Sequence, residues 1–159
     1  MNDKKFYVIL YTHCSEGWGY YWGPSLKNIR MANTLAVLSA INLMRNCSEF
    51  KWVLNNFNTM YKFWKDFPEL REFIRKATLE HRPEIAGGLL TVPHLNIEGE
   101  SLIRNLMIVR KMFNKLGLRI NDKVLLVADA MCHHAQLPQL LSKIGIKYLK
   151  ICRLSLIHI

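Results

Sequence analysis

"VLLVADAMCHHAQLPQLLSKIGIKYLKI", residues 124–151, decides the fold. Val124 to Ala128 contains no polar residue and is rich in Val and Leu, which reads as a strand buried on both faces. Asp129 follows directly and stands at the carboxyl end of that strand. Leu137, Leu140, Leu141 and Ile144 then recur at helical spacing, Pro138 fits a first helical turn, and Gly145 is the expected stop before a further strand from Lys147 to Cys152. The unit is strand, carboxylate, helix, strand. α/β enzymes carry reacting groups at such a strand end. An Asp in this place also serves as the N-cap of the following helix, and the local sequence leaves both readings open.

Working outward, the same module recurs. Phe6 to Tyr11 reads as a strand, followed by the Gly- and aromatic-rich loop "THCSEGWGYYWGP" and a long helix from about Ser25 to Arg45. Phe50 to Leu54 reads as a second strand. Asp66 and Glu69 have capping-box spacing, and Pro68, Phe67, Leu70, Phe73, Ile74 and Ala77 predict a helix running to about Glu80. Glu84 to Leu90 reads as a third strand, and an apolar stripe from Leu102 to Phe113 predicts a helix stopped by Gly117. Alternating strands and helices imply parallel pairing, in an open sheet or in part of a barrel. The polar residues after each strand are Thr12, His13, Ser15 and Glu16, then Asn55 and Asn56, Thr91 and His94, and Asp129, His133 and His134. In a parallel sheet they converge on one face.

Composition bounds the function. A chain of 159 residues suits one domain and falls short of the roughly 250 residues of a closed eight-fold α/β barrel. Hydrophobic residues make up 50% and charged residues 21%, which excludes wholesale disorder. The net charge of +10 favours anions, yet the Lys and Arg residues are scattered without an aromatic RNA-binding signature, so no nucleic-acid partner is expected. Cys14, Cys47, Cys132 and Cys152 lack CxxC spacing and read as reduced thiols. Neither the N-terminal apolar run nor "MANTLAVLSAINLM" is long enough to span a bilayer, so the expectation is a cytoplasmic protein without a membrane partner.

His13 and Asp129 offer one imidazole and one carboxylate to a divalent cation such as zinc, with His94, His133 or Cys14 as further candidate ligands. The aromatic group Trp18, Tyr20, Tyr21 and Trp22 is suited to stacking on a sugar or a base, and equally to covering the mouth of a barrel.

At these residues a family resemblance becomes visible. "YTHCSEGW" at 11–18 resembles the H-x-D-x-G-W segment of the α-mannosidases of glycoside hydrolase family 38. "EIAGGLLTVPHLNIEGESLIRNL" at 84–106 resembles their second signature, with its Gly pair and Gly-Glu-Ser-Leu helix start. "VADAMCHHAQLPQLLSKIGIKYL" at 127–149 is similar to their nucleophile segment. The three segments occur in the family's order. The resemblance implies a parallel (β/α) barrel of the family's seven-stranded type, here incomplete with about five βα units, over residues 1–153. It also implies retaining hydrolysis of α-mannosides with an active-site zinc. On that alignment His13 is a zinc ligand, Trp18 contacts the sugar, and Asp129 is both zinc ligand and nucleophile.

Departures from the family pattern shape the expectation as much as the matches. Ser15 stands where the family has a second zinc-ligand Asp, so a weakened zinc site is expected, with Glu16 as a possible substitute one position on. Met131 replaces an aromatic residue and His94 an acidic one. The family's acid/base carboxylate and last zinc-ligand His match no position here, so the chain by itself is expected to be inactive. Residues 154–159, "LSLIHI", continue no family pattern and read as a non-native tail. The leading expectation is an α-mannosidase-like glycosidase with a carbohydrate substrate. The alternatives are a carbohydrate-binding relative without catalysis and, more distantly, a metal-dependent polysaccharide deacetylase on a related barrel.

Overall fold

The computed structural model describes residues 8, 10–12, 26–88, 97–128 and 134–151. Within them the chain alternates strands and helices: β1 (Tyr11–Thr12), α1 (Leu26–Asn46), β2 (Val53–Asn56), α2 (Phe57–Asp66), a 3-10 turn (Pro68–Leu70), α3 (Arg71–Leu79), β3 (Glu84–Gly88), α4 (Gly99–Leu116), β4 (Val124–Val127), α5 (Leu137–Lys143) and β5 (Tyr148–Ile151). The pairing is parallel throughout, in a three-stranded sheet ordered β1-β2-β3 and a two-stranded sheet β4-β5. β3 and β4 lie in contact, which sets the two sheets beside each other. The expected α/β architecture is present, and among the described residues the sheets do not close into a barrel.

Each sheet has its own apolar core. Val37, Ala40, Ile41 and Met44 recur at helical spacing on α1 and pack with Leu54, Phe57, Met60, Phe63, Ile74 and Ile85 over the first sheet. Phe57 and Phe113 are fully buried with ring centroids 4.4 Å apart. Each such side chain contributes about 1.5–3 kcal/mol relative to exposure. Leu102, Leu106, Leu125, Val127, Leu137 and Leu141 form the second core. α4 belongs to both, because Leu102 and Leu106 in its first half serve the second core while Val109 and Phe113 serve the first.

Two arginines fasten helix ends to the scaffold. The Arg82 guanidinium donates to the carbonyl of Met44 in the last turn of α1 and to those of Cys47 and Ser48 just beyond it, tying the end of the helix to the segment before β3. Arg110 on α4 donates to Ile144 O at 2.7 Å and Asp122 O at 3.0 Å, tying α4 to the end of α5 and to the turn before β4.

Local differences from the expected elements have clear causes. The second strand spans Val53–Asn56 rather than Phe50 to Leu54, because Phe50 N–H closes a turn on Cys47 O after α1. α2 was not anticipated. Asn56 starts it, its side-chain oxygen accepting from Thr59 N at 3.0 Å, and its apolar face is Phe57, Met60, Phe63 and Trp64. The expected capping box at Asp66 and Glu69 is therefore not formed: Asp66 closes α2 and accepts from Arg30 at 2.6 Å. The helix predicted to run on to Glu80 is a 3-10 turn followed by α3. α4 ends as expected at Gly117, whose φ of 68° is a left-handed conformation that glycine adopts without a Cβ penalty. β4 and the adjoining Ala128 are buried almost throughout, as their composition predicts.

Candidate functional site

The parallel pairing gathers the carboxyl ends of β1, β2 and β3. β1 ends at Thr12, whose hydroxyl oxygen accepts from the Trp52 indole N–H at 2.6 Å, and the pairing Tyr11↔Val53, Thr12↔Leu54 fixes its register on β2. The next residues along the two strands are His13 and Asn55. Asn55 and Asn56 complete β2 and are each 1% exposed.

β2 and β3 approach each other unusually closely at this end. A Cβ built on Gly87 would stand 1.8 Å from the backbone oxygen of Asn55, and one on Gly88 would stand 2.3 Å from the Asn105 amide nitrogen of α4. Only glycines allow the Asn55 backbone and the Asn105 side chain into those positions. The register changes at the same place, since Leu54 pairs with Ile85 but Asn56 with Gly88, so two residues of β3 oppose Asn55. This is bulge geometry, which bends a strand end and re-aims its side chains. The Gly pair noted in the sequence is thus a packing device at the carboxyl end of the sheet.

In the second sheet β4 ends at Val127, paired with Ile151, and is followed by the fully buried Ala128. Asp129 is the next residue along the chain. Asp129 itself lies outside the described residues, as do His13, Cys14, Ser15, Glu16, Trp18, Tyr20, Tyr21, Trp22, His94, Met131, Cys132 and His133. Among the described residues no group of three His, Cys, Asp or Glu side chains is placed to hold a metal. His134 is described: it is exposed, and its Nδ1 accepts from Gln136 N at 3.1 Å, while its carbonyl accepts from Leu137 N at 2.9 Å. It organises the turn into α5. The sequence reading named Asn55 and Asn56 among the polar residues after the second strand but missed that they complete β2, are buried, and that Asn56 caps a helix, although a polar pair between an apolar strand and an apolar helical stripe is itself an N-cap signal.

These features define an α/β domain whose parallel strands present polar positions at their carboxyl ends. Its fold is similar to that of an alpha-mannosidase from Enterococcus faecalis V583, with a TM-score of 0.75 at 20% identity over 89% of this chain and 16% of that one. A second structure, a protein in glycosyl hydrolase family 38 from Enterococcus faecalis, gives a TM-score of 0.72 at 20% identity over 90% of this chain and 16% of that one. The chain thus spans about a sixth of the length of these structures. Comparison with curated protein sequences finds no match. The family described as "Glycosyl hydrolases family 38 N-terminal domain" matches residues 3–158, and the chain belongs to that family. Among the described residues no helix is long and apolar enough to cross a membrane.

Proposed function

We propose that this chain carries the nucleophile and part of the metal site of a retaining glycosidase acting on α-mannosides. The observation that carries the reading is the family match across residues 3–158. It is supported by the end of β1 at Thr12 and of β4 at Val127, one and two residues before His13 and Asp129. The same reading takes the strands as βα units of the family's (β/α) barrel, with carboxyl ends facing the substrate.

The donor chemistry fits zinc in kind. A neutral imidazole from His13 and a carboxylate from Asp129 are both ordinary zinc ligands, whereas the neutral hydroxyl of Ser15 is a poor substitute for a third. Binding weaker than in a site with Asp at that position follows, unless Glu16 serves instead. Zinc, when bound, would supply a Lewis-acidic anchor for sugar hydroxyls. A carboxylate oxygen of Asp129 forms the bond to the anomeric carbon as the glycosidic bond breaks, and the departing oxygen takes a proton from a second carboxyl group in its protonated, carboxylic-acid form, leaving that group as a carboxylate. Water then cleaves the glycosyl ester and restores Asp129. Trp18 offers an apolar ring to one face of the sugar. The resemblance assigns no residue of this chain to the second carboxylate, so the chain by itself is expected to bind zinc and sugar without turnover.

Ser15, Met131 and His94 favour a second reading, a carbohydrate-binding relative that has lost catalysis. Zinc titration separates the two. Ser15→Asp is expected to tighten zinc binding and Asp129→Asn to abolish it, both read by calorimetry, with aryl α-mannoside hydrolysis as the activity readout when the second carboxylate is supplied by a longer form. Tight stoichiometric zinc in the unmodified chain with no gain from Ser15→Asp would overturn the assignment of Ser15 to the ligand position.

A further inference from the structure

β3 and β4 meet at the seam between the two sheets, and among the described residues no strand pairing joins them. Along a strand the N–H and C=O of successive residues point to alternate edges. Glu84 N donates to Trp52 O at 2.9 Å and so faces β2. Ile85, the next residue of β3, therefore turns its own N–H and C=O to the other edge, toward β4. The same alternation holds in β4. Lys123 O accepts from Tyr148 N at 2.9 Å on the side of β5, which leaves the backbone polar groups of Val124 on the side of β3. Ile85 is 2% exposed, and backbone groups buried to that degree need hydrogen-bond partners.

A cavity of about 20 Å³ lies at this seam, lined by both Ile85 and Val124 and by the polar residues Arg110, Asn121 and Asp122. One water needs roughly 10–15 Å³, and cavities that stay dry are apolar, so both size and lining suit a single water. The Arg110 guanidinium is fixed beside it by its bonds to Ile144 O and Asp122 O, and its charge disfavours a metal cation there. We infer that the seam is a binding site for one structural water, which bridges the backbone of Ile85 to that of Val124 in place of a direct β3–β4 ladder. The water accepts from an N–H on one strand and donates to a C=O on the other, and the polar lining supplies its further contacts. The two sheets are thereby joined through solvent where their edges meet.

The test uses the unmodified chain, labelled with nitrogen-15 and carbon-13, and two NMR measurements on it. The first is magnetisation transfer from water to the Ile85 amide proton. A water held longer than the protein takes to tumble gives cross-peaks of opposite sign in NOESY and ROESY spectra, and that pattern is expected at Ile85 but not at Glu84, whose N–H is already bonded to Trp52 O. The second is the coupling transmitted through a hydrogen bond from an amide nitrogen to the carbonyl carbon that accepts it. Such a coupling is expected from Glu84 to Trp52 and not from Ile85 to any carbonyl of β4. A coupling from Ile85 to a β4 carbonyl would show that the strands pair directly and would overturn the inference. Cross-peaks of equal sign at Ile85, the mark of proton exchange with bulk solvent, would overturn it too, as would no transfer from water at all.

Discussion

Gly87→Ala tests whether the close approach of β2 and β3 is required by the fold. The new Cβ would stand 1.8 Å from the Asn55 backbone oxygen, and real Cβ contacts stay beyond 3.0 Å, so the strands must separate by about 1.2 Å there. That is about a quarter of the normal spacing between strands. The obstacle is backbone in a buried strand, so no rotamer change relieves it. Overpacking of this kind costs about 1–3 kcal/mol, and stretching a ladder hydrogen bond adds about 1 kcal/mol. A loss of about 3 kcal/mol corresponds to roughly 6–12 °C in Tm for a domain of this size. Gly88→Ala meets the Asn105 side chain instead, which can swing away, so its loss is expected to be smaller. Gly99→Ala, with nothing within 4 Å in the first turn of α4, is expected to be neutral or to stabilise by about 0.5 kcal/mol. Thermal melts followed by circular dichroism rank the three variants. A Gly87→Ala protein melting within about 1 °C of the parent, or all three variants shifting equally, would refute the close-contact reasoning.

Asn56→Ala removes the N-cap of α2 and leaves the Thr59 N–H without that acceptor, so urea unfolding is expected to show a loss of about 1–2 kcal/mol, with Asn56→Ser losing less. Arg110→Lys is expected to destabilise nearly as much as Arg110→Leu, about 1–3 kcal/mol, because an ammonium cannot fork to Ile144 O and Asp122 O. Hydrogen exchange should then quicken in β4, α5 and β5 before the first sheet. The exposed Arg30–Asp66 pair, 2.6 Å apart with side chains 58% and 38% exposed, is expected to show a coupling of only about 0.2–1 kcal/mol in a double-mutant cycle, shrinking as salt is raised.

The fold was legible wherever one signal acted alone. β4 reads directly from an uninterrupted apolar run, and α4 from a stripe closed by Gly117, whose positive φ needs the residue the sequence supplies. The stretch from Phe50 to Glu80 was harder because strand, cap, helix and 3-10 turn follow one another without a Gly spacer. Asn56 both ends a strand and caps a helix, and an aromatic-rich apolar stripe such as Phe57, Met60, Phe63 and Trp64 satisfies strand and helix propensities alike. Asp66 carried a cap signal that tertiary structure overrode, since Arg30, distant in sequence, pairs with it. Around the proposed site, the ends of β1 and β4 were readable from sequence to within one residue, but the end of β2 and the bulge opposite Asn55 were not, because register between strands depends on both partners and on the glycines that let them close.

In the proposed reading, the geometry that would link the two halves of the site rests on residues that carry no chemistry. Thr12 is held to β2 by strand register and by the Trp52 indole, within the first sheet and its core. Ala128 follows β4, which belongs to the second core. The ties between these units are the contact of β3 with β4, the two-core packing of α4, and the Arg110 fork to the turn before β4. A zinc site needs its donors placed to within a fraction of an ångström. Substitutions in the middle of α4, where Leu106 serves one core and Val109 the other, are thus expected to change the separation of the sheets and, on the proposed zinc reading, the metal affinity, while changes on its exposed Glu100–Arg104 face are expected to change neither.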